Sequence, residues 1–404
     1  MAFKIFLFAV LFLRIILFNI PSFQIDMNAW ESWSYRLVTL GLSNFYSFDY
    51  FADYFPGYLY ILWIFGSFYH FIFPQLSFSN IGFEFMVKFI TTLFDIGTAY
   101  YIYKIVNKYL PKFSKFAALF YLVNPAVIFN SSVWGQIDGI FTFFLVYSCF
   151  LLTEVKKPIE SSFVSSIAVL IKPHSLALLP AFVLYNFKFY EKYLVVVLLI
   201  LLLVPIIMSI PFFPNNPVLG LVSLSRSSAN VYPFTSLFAF NFWGILGWWK
   251  SDKSSLFSLS YQIWGFVLYA VSMIFILYPA VKNKIKSKHF YLVSFLSFMS
   301  FYLFLTRMHE RYLFASLAFI LIAAFINKSK LLGLIYFFIS IVHFINLWYV
   351  YYYYNFVYND IKTGNNFFYM AIDGNKTILS LAVIACFVTV LVYYYKSFNE
   401  KISK

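Results

Sequence analysis

The sequence predicts an all-α, polytopic integral membrane protein. Hydrophobic residues make up 62% of the 404 residues and charged residues only 11%, and the mean hydropathy is +0.80. A soluble domain carries about a quarter charged residues, so this composition does not fit a water-exposed surface. Apolar runs of roughly 20 residues, the length of a membrane-spanning helix, recur along the whole chain. The runs are continuous rather than alternating, which favours helices over a β-barrel.

Twelve apolar segments are predicted to cross the membrane. They are, in chain order, roughly 3–20, 84–106, 115–130, 138–153, 161–172, 174–189, 193–210, 260–281, 289–305, 311–326, 331–353 and 377–396. The short pair around Lys172-Pro173-His174 predicts a broken or re-entrant hairpin. No small-residue cleavage site follows the first apolar stretch, which we therefore expect to be retained as the first helix.

The distribution of lysine predicts the orientation. If 58–73 does not cross, both termini are cytoplasmic and the lysine clusters all face inside, in line with the positive-inside bias. A crossing there would turn every cluster outward, so 58–73 is predicted to be a juxtamembrane or re-entrant helix on the outer side. The clusters are Lys104/Lys108/Lys112/Lys115, Lys156/Lys157, Lys188/Lys192, Lys282/Lys284/Lys286/Lys288, Lys328/Lys330 and Lys396/Lys401/Lys404.

Three long loops then lie on the outer side, roughly 21–83, 211–259 and 354–376, and the inner loops are short. We expect one membrane domain over 1–404, with juxtamembrane helices in the first outer loop. We therefore expect the functional residues on the outer side.

The net charge of +14 does not predict a nucleic-acid partner, because lysine-rich inner loops facing anionic lipid headgroups account for it. Arginine is distributed differently from lysine. Only Arg14 lies in a predicted span, and the other four arginines, Arg36, Arg226, Arg307 and Arg311, fall on the outer side. The arginine fork suits phosphate and keeps its charge when desolvated; pairing with outer carboxylates is the alternative. Cys149 and Cys386 lie far apart in apolar runs and predict neither a disulfide nor a metal site.

The first outer loop contains a predicted amphipathic helix with Asp26 at its start. Its tryptophans, Trp30 and Trp33, are expected at headgroup level. Two interpretations of Asp26 remain open. It is an N-cap that accepts backbone N–H bonds, or a general base held at the membrane surface.

Two further outer elements carry acids. Asp53 precedes Pro56-Gly57, which predicts a turn. After Asn124-Pro125, the run Trp134-Gly135-Gln136-Ile137-Asp138 falls at the outer end of the hairpin 115–153, where Asp138 is either a helix start or a site residue.

The run Thr306-Arg307-Met308-His309-Glu310-Arg311-Tyr312 places charged residues between two apolar spans. Ionisable groups at membrane depth commonly mark a site. On a helix, Arg307 and Arg311 would share one face. With His309 they form a candidate phosphate-binding site. An ion-paired turn, with Glu310 bound to either arginine, is the alternative.

Taken together, these motifs resemble the archaeal and bacterial proteins related to GPI mannosyltransferases. More distantly, they are similar to the dolichyl-phosphate-glucose-dependent glucosyltransferases, which share the GT-C fold. The resemblance covers about 20–320, including Lys172-Pro173 and Ala239-Phe240-Asn241-Phe242-Trp243-Gly244. Phe55 departs from it, since such proteins commonly have a second proline there.

The resemblance implies a hexosyltransferase that takes mannose or glucose from a polyprenyl- or dolichyl-phosphate donor, with a lipid-linked or membrane acceptor and inversion at the sugar. It also implies the cell membrane of a prokaryote as the location, with the active site on the extracytoplasmic side. It implies that Asp26 is the catalytic base and that Arg307, His309 and Arg311 lie near the donor phosphate. The other candidate site residues are Asp53, Gln136, Asp138, Lys172, Arg226 and Glu310. No cofactor is required by these residues, although Asp26 and Asp138 could share a divalent ion, as in the related oligosaccharyltransferases.

Two rival functions remain open. A multi-pass transporter or lipid flippase would explain the many spans, the broken hairpin and Asp95 inside a span, but it predicts inverted halves that the sequence does not show. A protein O-mannosyltransferase differs only in its acceptor. The sugar, the acceptor, the carrier length and the partner subunits are not specified by the sequence.

Overall fold

A computed structural model describes residues 2–74, 80–358 and 366–399. The predicted all-α class is confirmed. The α-helices are, in chain order, α1 Ala2–Leu17, α2 Gln24–Leu40, α3 Pro56–Ile72, α4 Ile81–Tyr109, α5 Ser114–Leu122, α6 Pro125–Ile128, α7 Asp138–Phe150, α8 Pro158–Ile171, α9 Leu179–Phe189, α10 Leu194–Ser209, α11 Pro217–Asn230, α12 Phe242–Leu246, α13 Tyr261–Lys282, α14 Ser287–Phe304, α15 Phe314–Ile326, α16 Lys330–Tyr352 and α17 Phe367–Asn399. Short 3₁₀ or π segments extend several of them, and a helix occupies most of each predicted span.

Within the described ranges, five helical segments are long and apolar enough to cross a membrane, and a bent pair raises the number to six. The five are Asp138–Val155, Glu191–Ser209, Tyr261–Lys282, Lys330–Val357 and Phe367–Phe398, and the bent pair is Pro111–Leu122 with Pro125–Trp134, at 48°. Only 11% of the apolar window in Glu191–Ser209 is buried by protein, as expected of a helix that faces lipid. The chain is therefore a membrane protein by its helices, and the count of twelve crossings stays a prediction.

The orientation also stays a prediction, and two exposed lysines allow a test. Lys112 and Lys284 lie in predicted inner loops, and their side chains are exposed. We expect Lys112→Cys and Lys284→Cys to resist an impermeant thiol reagent in sealed cells and to react once the cells are opened. Labelling of both cysteines from outside would show that the orientation is opposite to the predicted one.

The chain divides into two compact units. Unit 1 consists of Met1–Thr98, Asn130–Leu176 and Tyr190–Val231, and unit 2 of Ala99–Phe129, Ala177–Phe189 and Tyr232–Lys404. The first boundary falls inside α4. The prediction of a single membrane domain is not decided by this division.

In unit 1, α7, α8 and α10 pack together, and α3 packs on α2 and α8. Pro56 is the first residue of α3, where its missing N–H costs nothing. Gly57 follows inside the helix, so the predicted turn at Pro56-Gly57 is instead a helix start. A Cβ on Gly57 would lie 2.6 Å from the backbone of Leu170 and Ile171. Glycine is therefore what allows α3 to approach α8 this closely.

In unit 2, α14, α15 and α16 pack in sequence, and α17 packs on α12, α14 and α16. In the part of this unit that the structure describes, four short strands accompany the helices: β1 Ser236–Leu237, β2 Ser255–Leu256, β3 Leu259–Ser260 and β4 Met308–His309. β1 pairs with β4 in parallel, with Ser236 opposite Met308, and β2 pairs with β3 as an antiparallel hairpin.

The helix break predicted at Lys172 is present. α8 ends at Ile171, Lys172 is extended (φ −148°, ψ 114°), and a 3₁₀ segment follows over Pro173–Leu178. Pro173 lacks the N–H that would continue the helix, which explains the break.

Candidate functional site

Asp26 lies in the first turn of α2, but it is not the N-cap. The cap position is Phe23, which is extended (φ −72°, ψ 103°), and Asp26 is the third residue of the helix. The N-cap interpretation of Asp26 is therefore wrong. The Asp26 side chain is half-buried.

The Asp26 carboxylate is held by two side chains from a distant segment of unit 1. Its Oδ2 accepts hydrogen bonds from Trp134 Nε1 at 2.8 Å and from Gln136 Nε2 at 2.7 Å. We call these three residues the Asp26 cluster. Both donors are neutral, and hydrogen bonds to a charged acceptor are short and strong. The pair of bonds therefore stabilises the ionised carboxylate and fixes its direction.

Gly135 makes this arrangement possible. Its φ of +81° is a left-handed conformation that glycine adopts without strain, and a Cβ there would lie 2.7 Å from Met27 Cε. The turn directs the side chains on both sides of Gly135 to one carboxylate. The Gln136 amide is oriented from its other end, because its Oε1 accepts the backbone N–H of Ile137 at 2.8 Å. The candidate role of Gln136 is therefore that of a residue that holds Asp26.

The tryptophans of α2 are buried against protein, contrary to the prediction of a headgroup position. Trp30 is 1% exposed and Trp33 is 3% exposed. The ring of Trp30 packs edge-on against two tyrosine rings, with centroid distances of 5.8 Å to Tyr54 and 5.4 Å to Tyr58. Burial, and then the nearby Asp26 charge, raise the pKa of the Tyr58 hydroxyl well above its usual value. The aromatic rings of Trp30, Tyr54 and Tyr58 thus pack together near Asp26.

The connection from α1 to α2 is tied to α4. Lys88 Nζ donates to the carbonyl oxygens of Phe18 at 3.0 Å and Ile20 at 2.6 Å, and Ser22 Oγ donates to Glu84. Phe23 N also donates to Trp134 O at 3.1 Å. The start of α2, and with it Asp26, is therefore fixed by contacts that the sequence alone did not indicate.

Asp138 and Lys172 form a buried ion pair. Lys172 Nζ donates to Asp138 Oδ1, and Asn130 Nδ2 donates to Asp138 Oδ2 at 3.0 Å. Asp138 begins α7, as predicted, and is 1% exposed. A paired, buried carboxylate is poorly placed to act as a base. Among the residues that the structure describes, no three or more His, Cys, Asp or Glu side chains lie together as a possible metal site.

Replacing Lys172 should destabilise unit 1. Lys172→Met leaves the Asp138 carboxylate buried without its cation, which costs roughly 3–5 kcal/mol. We expect a lower Tm in detergent for this variant. Adding Asp138→Asn should recover most of the loss, because the charge is then gone; equal Tm values for Lys172→Met and the wild type would contradict the buried pair.

Asp53 and Arg226 lie in two segments of unit 1 that a hydrogen bond connects. Asp53 is half-buried, and its backbone oxygen accepts a hydrogen bond from Ser228 Oγ of α11 at 2.9 Å. Arg226, on the same helix, has an exposed side chain. Burial and the Asp53 charge raise the pKa of Tyr46, whose hydroxyl donates to Tyr54 O at 2.6 Å. Asp53 thus lies beside the segment whose Tyr54 hydroxyl is 3.5 Å from Gln136 Oε1.

In unit 2, residues 306–312 form a turn rather than a helix, and we call this segment the Arg307 turn. Arg307 has a positive φ of 66°, Met308–His309 is strand β4, and Glu310–Leu313 is a 3₁₀ segment. The prediction that Arg307 and Arg311 share a helical face is therefore wrong. A non-glycine residue with positive φ is strained, and such strain clusters at functional sites.

Arg307 is paired with an acid that sequence reasoning missed. Its Nε donates to Asp252 Oδ2 at 2.6 Å and its Nη2 to Asp252 Oδ1 at 3.4 Å, and Thr306 Oγ1 donates to Oδ2 at 3.1 Å. Asp252 is fully buried. A signal was present, since Asp252 is the only acidic residue in the predicted outer loop 211–259.

Arg311 is paired within the turn. Its Nη1 donates to Glu310 Oε1 at 3.0 Å, and His309 Nδ1 lies 3.8 Å from Glu310 Oε2. Burial alone would raise the Glu310 pKa, but Arg311 and His309 lower it to about 2. The carboxylate stays ionised at neutral pH, and the stability that its pairing contributes is lost progressively as the pH falls from the ordinary glutamate pKa of 4.5 to about 2. The alternative of an ion-paired turn is confirmed for Glu310 with Arg311.

Two asparagine motifs of the resemblance are structural in unit 2. Asn124 caps α6 and donates to Tyr336 at 2.8 Å and Ser340 at 2.7 Å. Asn241 caps α12 and donates to Tyr302 O at 3.1 Å. Both side chains connect helices of the unit and are buried.

The chain matches no protein-family model and no curated protein. Its function is therefore inferred from the chemistry of the Asp26 cluster and the Arg307 turn.

Proposed function

We propose that this chain is a membrane glycosyltransferase of GT-C type. It would move a hexose, mannose or glucose, from a polyprenyl- or dolichyl-phosphate donor to a lipid-linked or membrane acceptor on the extracytoplasmic side. One observation carries the proposal: Asp26 presents a half-buried carboxylate whose Oδ2 is held by two neutral N–H donors, Trp134 at 2.8 Å and Gln136 at 2.7 Å.

The arrangement suits a general base. An ionised carboxylate can accept a proton, and fixed hydrogen bonds hold it in one direction without cancelling its charge. In the proposed step the acceptor hydroxyl oxygen attacks the sugar C1 as Asp26 takes the proton. The new C1–O bond forms while the C1–O bond to phosphate breaks, and the polyprenyl phosphate leaves. Attack from the face opposite the leaving group inverts the anomeric carbon, and one base suffices.

The Arg307 turn supports a role in holding the donor phosphate. The leaving group changes from a monoanionic diester to a monoester that carries more negative charge, so donors that meet this charge lower the barrier. Arg307 and Arg311 each have a carboxylate partner, so the turn offers directed N–H groups rather than a large net positive charge. Their side chains remain 16% and 12% exposed. His309 lies beside them.

A transfer assay tests the proposal. Purified protein in nanodiscs would receive radiolabelled mannosyl or glucosyl polyprenyl phosphate and a lipid extract of the host membrane, with and without EDTA. We expect the label to move into a new glycolipid in both conditions. Transfer to a peptide would identify a protein O-mannosyltransferase. Movement of labelled lipid across proteoliposomes, without a new glycosidic bond, would identify a flippase and contradict the proposal.

The buried ion pairs do not by themselves favour a transporter. Arg14 Nη1 bonds Asp95 Oδ2 at 2.7 Å, and Lys172 bonds Asp138, so Asp95, which suggested a relay in the sequence, is matched with a cation inside unit 1. The units are also built from interleaved segments rather than from two consecutive halves.

A further inference from the structure

Three segments of unit 2 are joined by backbone hydrogen bonds around residues 233–237. On one side, β1 pairs with β4, and Arg307 N donates to Phe234 O at 2.8 Å. On the other side, Thr235 N donates to Lys250 O at 2.7 Å and Asp252 N to Pro233 O at 3.0 Å. Backbone hydrogen bonds therefore already hold the segments that carry Arg307 and Asp252 beside residues 233–237.

The Arg307 side chain joins its own segment to the segment that carries Asp252. It bonds both oxygens of Asp252, and Thr306 adds a third donor. Complete burial of a carboxylate is costly unless its oxygens are satisfied, and these three bonds meet that need. Because the backbone already connects the segments, the main additional effect of the ion pair is to set the direction of the guanidinium plane.

The two partners differ in exposure. Asp252 has no exposed side-chain surface, whereas Arg307 is 16% exposed. An anion that approaches the Arg307 turn would therefore meet the guanidinium and not the carboxylate behind it. A carboxylate in this position fixes the orientation of the guanidinium fork, and bidentate recognition of a phosphate depends on orientation as well as charge.

We propose that Asp252 is a positioning residue that orients Arg307 towards a lipid-linked phosphate. The identity of this ligand rests on the proposed function. The positioning role and simple electrostatics predict opposite changes in phosphate affinity when the Asp252 charge is removed. Removing a negative charge near a phosphate should tighten binding if charge alone matters. It should weaken binding if the carboxylate is needed to orient the fork.

The test measures binding rather than turnover. The full chain in nanodiscs would be titrated with farnesyl phosphate, a short polyprenyl monophosphate, with farnesol as the uncharged control. We expect the wild type to bind only the phosphate, Asp252→Asn to bind it about tenfold more weakly, and Arg307→Ala to lose binding. In the Arg307→Ala background, Asp252→Asn should change nothing further. Equal or tighter binding by a folded Asp252→Asn variant overturns the proposal.

A second variant decides the matter if Asp252→Asn does not fold. Thr306→Val keeps both charges and a similar side-chain volume but removes the third donor to Asp252. We expect about threefold weaker binding of farnesyl phosphate, and unchanged binding would overturn the proposal. If wild-type chain binds the phosphate but transfers no sugar, the proposed function fails while the role of Asp252 stands. If wild-type chain does not bind it, both fail.

Discussion

Asp26→Asn is expected to lower the turnover number of sugar transfer by roughly a hundredfold to ten-thousandfold, the usual cost of losing a general base. The amide oxygen of asparagine can still accept the hydrogen bonds of Trp134 and Gln136. It cannot take a proton from an acceptor hydroxyl, because an amide oxygen is far too weak a base. Folding should therefore survive while chemistry fails, and the transfer assay together with thermal unfolding in detergent measures both.

A matched control comes from the same loop. Asp49 is also in the first predicted outer loop, but its side chain is exposed and no base is proposed there. Asp49→Asn makes the same chemical change and should leave turnover at the wild-type level. Near-normal transfer by Asp26→Asn would remove Asp26 as the base. Asp53, half-buried beside Tyr54, would then be the next candidate, since Asp138 is paired with Lys172.

The helices were largely predictable from sequence because the signal for them is local. Runs of apolar residues predicted most of the long helices, and Pro173 predicted the break that follows Ile171. The exception is α11 Pro217–Asn230, which lies in a segment predicted only as an outer loop. The burial of α2 was not predictable in this way. The amphipathic pattern placed Trp30 and Trp33 on one face correctly, but only the packed structure shows that α3 and its aromatic rings cover that face.

The Asp26 cluster was predicted in part. The Trp134-Gly135-Gln136 run and Asp26 were both selected, and the structure joins them although more than 100 residues separate them in the chain. Their pairing depends on the positive φ of Gly135 and on the anchoring of residues 18–23 to Lys88, which no local pattern reveals. Asp252 was missed for the same reason, because its partner Arg307 lies 55 residues further along.

The four arginines predicted to lie on the outer side have different contacts in the structure. Arg36 bonds Phe45 O at 2.7 Å, Asn44 O at 3.0 Å and Ser47 Oγ at 3.0 Å, and so holds its own loop. Arg226 is exposed on α11. Arg307 and Arg311 remain as the pair in one turn. The separation of arginine from lysine in the sequence is therefore explained in part by loop structure and in part by the Arg307 turn.

Arg307→Lys is expected to reduce the turnover number at least tenfold while the protein remains abundant. Lysine keeps the charge but lacks the planar fork, so it cannot bond both oxygens of Asp252 and a phosphate in fixed directions. Arg311→Lys should also lower turnover, by less, because its partner Glu310 is the adjacent residue, at 3.0 Å from Nη1, and lies within reach of a lysine at the same position. The transfer assay at saturating donor separates turnover from KM, and Tm reports any structural cost.

Arg36→Lys is the matched control for these substitutions. It makes the same change in another arginine of the predicted outer side. The Arg36 guanidinium bonds the carbonyl oxygens of Phe45 and Asn44 in its own loop. We expect a small fall in Tm and wild-type turnover. Equal losses of turnover in Arg36→Lys and Arg307→Lys would show that the effect is structural. Normal turnover in an Arg307→Ala variant would exclude the Arg307 turn from donor binding and leave Asp26 as the sole support for sugar transfer.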